Sequence, residues 1–422
     1  MTAPARGEVR RAVAAAVVGN VLEWYDFAVY AYMATVIAKK FFPAGDDATS
    51  LLSTFAAFGL GFVARPLGGI VIGRLGDLRG RKTALLLTIV LMAGGTVAIG
   101  LVPTFETIGI AAPALVVLAR LVQGFSAGGE WGGSTAFIVE WAPAGRRGLY
   151  GSLQQCSVAT GLLLGSGVAA LVGTWLSAEA ADSWGWRIPF LLGGLLGPVG
   201  LYMRRHIGET PAFVRNAAAV DPPRRPPVAP VLLAARAFGF TVFWTVSYYI
   251  VLTYMPTFLQ KQVGVARSQA LWATASGLLV MVIATPLMGL LSDRVGRKPL
   301  LAGACVASLV LPYPLFKLML SGVPLSTIFL VQLALAFVIA VFSGPGPAAI
   351  AEIFPTRVRS TWMSTGYSLA VSIFGGFAPF IATWLIARTG DPLAPSYYLM
   401  AAAAITLIVV LRLEETARAP LR

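Results

Sequence analysis

Charge is what this sequence has least of. Asp, Glu, Lys and Arg make up 12% of its 422 residues, roughly half the share of an ordinary soluble domain. Acids are the scarcer, with 18 Asp and Glu against 32 Lys and Arg. There is one His, His206, and it sits in a basic loop, which excludes a histidine metal site. The two cysteines, Cys156 and Cys305, lie in apolar segments of different halves. They read as buried thiols rather than a disulfide, and their spacing suits no metal. No nucleophile–base pair or cofactor motif appears, so nothing supports an enzyme. The stretch Gly80-Arg81-Lys82-Thr83 lacks the upstream glycine of a phosphate-binding loop and follows an apolar run rather than a strand. A cleavable leader is not expected, because the run after Arg6, Arg10 and Arg11 is too long and has no small-residue cleavage pattern. The net charge of +14 does not imply nucleic acid. Lys and Arg fall in short gaps between apolar segments and form no basic face.

What the chain does have is long apolar runs. Hydrophobic residues reach 57%, and the mean hydropathy is +0.78. A membrane-crossing helix needs about 20 such residues. The runs predict an all-α membrane protein with spans near 11–38, 51–73, 83–103, 110–137, 149–175 and 185–203. They resume near 229–260, 268–291, 299–320, 325–350, 360–387 and 394–412. The Pro- and Arg-rich stretch 204–228 is the seam. It separates a first six-helix bundle, 1–203, from a second, 229–422.

Placing the N-terminus in the cytoplasm puts most Lys and Arg on that side, including Arg74, Arg79, Arg81, Lys82, Arg146, Arg147, Arg294, Arg297, Lys298, Arg357 and Arg359. The other side holds only Lys39, Lys40, Arg187, Lys261, Arg267, Lys317 and Arg388. The bias predicts a multi-pass protein of a bacterial inner membrane with both termini cytoplasmic.

The halves also repeat. Gly73 to Lys82 contains Asp77, Gly80 and Arg81, and Gly289 to Lys298 contains Asp293, Gly296 and Arg297 at matching offsets. Glu140, Pro143 and Arg147 follow span four, as Glu352, Pro355 and Arg359 follow span ten. Such pairs imply two bundles related by an axis along the membrane normal.

These loops resemble the signature loops of the major facilitator superfamily, and the resemblance covers the whole chain. Gly19-Asn20 with Glu23 and Asp26, Arg65-Pro66, Arg120 to Glu130, and Trp184 to Phe190 are similar to the metabolite–proton symporters. That branch carries citrate, α-ketoglutarate, shikimate, or proline and betaine. Ser372 to Gly376, with Thr389-Gly390-Asp391, looks most like the citrate–proton symporters. Drug–proton antiporters usually carry a Gly-Pro motif in span five, and Gly161 to Gly167 has no proline.

The resemblance implies a proton-coupled symporter working by alternating access, with no cofactor beyond the proton. Its expected partners are a small organic anion, protons and the bilayer, and its working unit a monomer. The first-choice substrate is citrate or a related di- or tricarboxylate. The alternatives are a zwitterionic osmolyte such as betaine or proline, or a shikimate-like or aromatic acid. A channel would need a continuous polar pore, which the charge distribution does not suggest.

A charge at mid-bilayer costs a few kcal/mol, so each needs a partner or a task. Glu23, Asp26, Arg65, Arg120 and Glu130 fall at such depth, all in the first half. Proton coupling is therefore expected there, on Asp26, with Glu23 and Glu130 as further candidates. The alternative for Asp26 is a fixed ion pair with Arg65 or Arg120. Those two arginines, with forked donors suited to carboxylates, are candidate substrate ligands, or else merely neutralise the acids. Asn20, Tyr30, Gln123, Gln154, Gln155, Tyr248, Tyr249 and Tyr254 are polar candidates for the cavity wall, although such groups often glue helices instead. Asp77, Arg81, Glu140, Arg147, Asp293, Arg297, Glu352 and Arg359 are expected to form a cytoplasmic gate. The glycines Gly124, Gly128, Gly132, Gly161 and Gly165 read as helix packing. The short stretch after residue 412 leaves no room for a coiled-coil regulator, which weakly favours the carboxylate.

Overall fold

A computed structural model describes residues 6–79, 81–128, 130–143, 145–205, 230–354 and 356–419. The expected seam falls almost wholly outside the described residues. Those residues form helices and connecting turns, with no strand among them.

Twelve helical rods follow in order. In the first half they are Arg6–Tyr32 continued by Ala34–Phe41, Asp47–Val63 continued by Arg65–Arg79, Arg81–Leu101, Ala111–Ser126 continued by Glu130–Trp141, Arg147–Trp175 and Ile188–Arg205. In the second half Pro230–Ser247 runs on through Leu259–Val263, followed by Arg267–Val295, Arg297–Val310 with Pro312–Leu320, and Leu325–Ser343 with Gly346–Glu352. Thr356–Ala370, continued to Ala378–Thr389, and Ala394–Arg412 complete it. Among the described residues seven helices are each long and apolar enough to cross a membrane, and a pair bent by 42° at Leu311 makes an eighth. Leu86–Leu101 and Ala111–Ser126 are shorter apolar stretches of helix.

The breaks have local causes. Pro312 follows the bend in span nine, and Gly344-Pro345-Gly346-Pro347 interrupts span ten. In span two Pro66 lacks the N–H that would reach the Phe62 carbonyl one turn back. That carbonyl instead accepts the Ser372 hydroxyl of span eleven at 3.0 Å. A gap in one helix thus becomes a bond between halves.

The glycines of span four admit span two. An added Cβ on Gly124 would lie 1.6 Å from the Gly61 carbonyl, and one on Gly128 would lie 2.1 Å from that of Arg65. Gly161 and Gly165 bring span five onto span one in the same way, beside Val21 and Ala28.

The halves meet along two seams. Spans five and eight run together through Ser166 and the Leu271 carbonyl, Cys156 and the Val282 carbonyl, and Gly148 against Gly289. Spans two and eleven meet through Ser372 and Phe62, with Phe377 against Gly59.

Candidate functional site

Two buried arginines stand at the centre of the first half. Arg120 is wholly buried and Arg65 nearly so. Neither forms an ion pair with Asp26, so the fixed-pair alternative does not hold in this structure. Aromatic faces receive them instead. The Arg65 guanidinium lies 4.7 Å from the Phe27 ring centroid and 4.4 Å from that of Phe62. Arg120 lies 4.9 Å from Phe27, 4.6 Å from Tyr30 and 4.9 Å from Phe58. Such contacts attract a cation while leaving its edge donors available. Nε and Nη2 of both arginines are buried and have no hydrogen-bond partner in the protein. Buried donors are normally paired, so this edge is chemically primed for an acceptor.

Asp26 is reached indirectly. Arg120 donates to Gln123 at 2.8 Å, and Gln123 donates to the Thr96 hydroxyl at 2.6 Å. The Thr96 hydroxyl donates to the Met92 carbonyl at 3.1 Å, while its methyl group and Asp26 Oδ1 flank Gly193, where an added Cβ would lie 2.7 Å from each. Glu23 and Asp26 line one cavity of about 30 Å³ with Thr88, Met92, Ser126 and Gly197. That volume accommodates a water molecule. The cavity lies within the first half, enclosed by spans one, three, four and six, and not between the halves.

The polar candidates divide. Asn20 donates to Ser157 at 2.7 Å and fastens span one to span five. Tyr30 donates to the Thr54 carbonyl at 3.1 Å, so its hydroxyl is occupied and its ring supports Arg120. Tyr254 accepts from Thr383 at 3.5 Å and packs on Phe55. Each of these three polar tips has a protein neighbour in this conformation. Gln154 accepts from Gln155 but keeps a buried, unpartnered Nε2, and the Tyr248 hydroxyl is likewise unpartnered. The Glu130 side chain lies outside what the structure describes.

Tyr249 is more central than its neighbour Tyr248. Its ring packs edge-on against Phe62 at 5.5 Å and Phe58 at 6.0 Å, beside the arginines, and its hydroxyl has no protein partner. The backbone explains why two consecutive tyrosines both face inward. Tyr248–Tyr254 is a π-helical turn, wider than an α-turn, which rotates the residues that follow. Three further rings went unpredicted. Trp131 of span four stacks on Tyr367 of span eleven, and Trp244 of span seven meets both.

At the ends of the rods that carry the repeated loops, a charged network crosses between halves. Glu352 pairs with Arg147 at 3.1 Å and Arg297 at 3.4 Å. Arg359 pairs with Glu140 at 2.7 Å. Asp293 pairs with Arg297 at 2.7 Å and accepts the N–H groups of Gly148 and Leu149 at the start of span five. The structure thus brings together six of the eight expected gate residues, and the side chains of Asp77 and Arg81 lie outside its description. The C-terminal segment joins this network, which the sequence did not suggest. Glu415 accepts from the N–H groups of Arg297 at 2.9 Å and Lys298 at 3.0 Å, capping span nine. Burial alone would raise its pKa, but the backbone N–H groups of Arg297, Ala417 and Lys298 outweigh that and hold its carboxyl below the usual range. Thr416 donates to Glu352, and Arg147 donates to the Ala419 carbonyl.

Residues 12–222 match the family described as Sugar (and other) transporter, and residues 241–421 match the Major Facilitator Superfamily. The chain belongs to the major facilitator superfamily. It is a multi-pass membrane transporter and not an enzyme. It is 37% identical to the glycine betaine/proline/ectoine/pipecolic acid transporter OusA of Dickeya dadantii (strain 3937), over 99% of this chain and 85% of that one. To the proline/betaine transporter of Escherichia coli (strain K12) it is 36% identical, with the same coverage. In fold it is similar to a D-xylose-proton symporter, with a TM-score of 0.79 at 19% identity over 98% of this chain and 100% of that one. An inward-open structure of the xylose transporter XylE from E. coli gives 0.76 at 20%, over 98% of each chain. These relatives correct one expectation. They are named for proline and betaine rather than citrate, so the finer likeness to citrate symporters drawn from Ser372 to Asp391 finds no support in them.

Proposed function

We propose that this transporter imports a small zwitterionic solute of the betaine and proline class, driven by protons, across a bacterial cytoplasmic membrane with both termini inside. The observation that carries the reading is the likeness, over 99% of the chain, to transporters named for those solutes. The central chemistry supports it. A zwitterion needs a carboxylate ligand without a surplus of positive charge. Arg65 and Arg120 offer free donors while their charge is spread over Phe27, Phe58 and Phe62. Asp26 carries the coupling proton in this reading, with Glu23 beside it. Arg120 is tied through Gln123 to Thr96, whose methyl group borders Asp26, so the two charged groups share one neighbourhood. The cytoplasmic network closes the inner mouth, and its breakage lets the halves rock.

The test is uptake into proteoliposomes under an inward proton gradient, with labelled glycine betaine, proline, ectoine, citrate and α-ketoglutarate. Uptake of betaine or proline that a protonophore abolishes is the expected result. Uptake of citrate alone would overturn the reading.

A further inference from the structure

Trp131, Tyr367 and Trp244 form an aromatic cluster where the halves meet. Trp131 and Tyr367 come from opposite halves. They lie face to face with centroids 3.4 Å apart and planes 3° from parallel. Trp244 stands across their edge, 5.9 Å from Trp131 at 78° and 6.3 Å from Tyr367 at 76°. Its position is fixed by a 3.0 Å hydrogen bond from Nε1 to Ser343, by the rings of Phe240 and Phe342, and by Gly346 beneath it.

Two features separate this cluster from ordinary core. Aromatic rings prefer offset or edge-on packing to a full sandwich, because their negative faces repel. The Trp131–Tyr367 sandwich therefore presents two electron-rich faces that would gain from a cation between them. The cluster is also polar at its rim. Trp131 Nε1 is buried without a partner, as is the nearby Tyr249 hydroxyl. The carboxylate ligand is close by, since the Arg65 guanidinium is an electrostatic neighbour of Tyr367. Tyr249 bridges the two regions through Phe62, the same ring that supports Arg65.

We infer that Trp131, Tyr367 and Trp244 form the seat for the cationic nitrogen of the zwitterion, opening as the halves part, while Arg65 holds its carboxylate. The inference rests on the proposed substrate class and adds the residues that select it. Closure of the rings around the cation ties the approach of the halves to occupancy by a charged substrate. A cation between aromatic faces is attracted by their electron-rich surfaces, the more so when desolvated. A neutral group of the same shape gains only the apolar part.

The experiment uses the full-length carrier in proteoliposomes and follows labelled proline uptake. Unlabelled glycine betaine competes against 3,3-dimethylbutanoate, its isostere with carbon in place of nitrogen. In the unaltered protein betaine is expected to inhibit about 10-fold better, equivalent to ~1.4 kcal/mol. Trp131→Leu and, separately, Tyr367→Leu should collapse that gap by weakening betaine alone, and Trp131→Phe should restore most of it. Binding measured on the purified variants covers the case in which one leucine variant does not transport. If both leucine variants weaken the two competitors equally, or neither, the seat is overturned while the substrate class stands. If the unaltered protein carries neither proline nor betaine, the substrate class itself falls and the seat with it.

Discussion

Asp293 of the second half accepts the Gly148 N–H of the first at 2.8 Å, and the Leu149 N–H at 3.0 Å. A carboxylate at a helix N-terminus gains both hydrogen bonds and the favourable end of the helix dipole. Here the helix belongs to the opposite bundle, so capping and closing are one event. Asp293 also pairs with the buried Arg297. Asp293→Ala removes one of the two carboxylates that pair with that guanidinium, Glu352 being the other, and leaves the two N–H groups uncapped, at a cost of roughly 1.5–3 kcal/mol to the closed inner mouth. The expected result is a carrier resting inward-open, seen as faster labelling of a cysteine placed at Ser152, with transport reduced at least 10-fold.

Asp26→Asn keeps the size of the side chain and removes its titration. Proton-driven accumulation should disappear, while exchange of labelled for unlabelled solute across the membrane survives. Accumulation that persists in the variant would take Asp26 out of the coupling step.

Arg65→Lys retains charge but loses the planar stacking on Phe27 and Phe62 and the free Nε–Nη2 edge. The apparent KM for a carboxylate-bearing solute should rise about 10-fold or more. An unchanged KM, measured by initial uptake rates, would confine Arg65 to supporting the helices.

Glu415→Gln tests the C-terminal contact. The carboxyl of Glu415 lies below the usual range in the folded protein. Its contribution to closure is therefore present above the ordinary Glu pKa and is lost only as pH falls through the lowered value. At neutral pH the variant should loosen the inner mouth, by about 1 kcal/mol for a lost charged cap. At pH low enough to protonate Glu415 the two proteins should converge. Labelling rates at Ser152 across that range would show it.

Gly124→Val introduces a side chain where the Gly61 carbonyl already stands. Spans two and four cannot both keep their positions. Folded protein recovered from membranes should fall sharply, as judged by monodispersity after extraction. Gly94 has open space over its Cβ position, and Gly94→Ala should be tolerated.

The twelve rods and their repeat were legible because hydropathy and basic loops act over whole segments. Asp77 with Asp293, and Glu140 with Glu352, recur at fixed offsets that no local accident produces. The site was harder to read. In a soluble helix the apolar face announces itself against a polar one. A buried membrane span is apolar all round, so nothing in span four distinguishes Trp131 from any other apolar residue. Asn20, Tyr30 and Tyr254 show the converse difficulty. A polar residue in such a span has to satisfy its hydrogen bonds somewhere, and a neighbouring helix serves as well as a cavity. The neighbourhood of Asp26 depends on Thr96 and Gly193, from two other spans, and no spacing along the chain reveals that meeting. The docking of Glu415 on span nine is equally non-local.

The two seams between the halves differ in kind. Spans five and eight touch backbone to backbone at Gly148 and Gly289, with Gly344 of span ten against Gly289 as well. Spans two and eleven meet through the rings of Phe62 and Phe377 and a single hydroxyl bond. Rings can change rotamer under load and bare backbone cannot. A molecule joined by one stiff edge and one compliant edge does not swing like a symmetric clamp. The stiff edge acts as the fulcrum, the compliant edge travels further, and tipping is accompanied by a turn about the membrane normal. Spin labels at the cytoplasmic ends of the two seams would separate by unequal distances on opening, and equal distances would mean the seams yield alike.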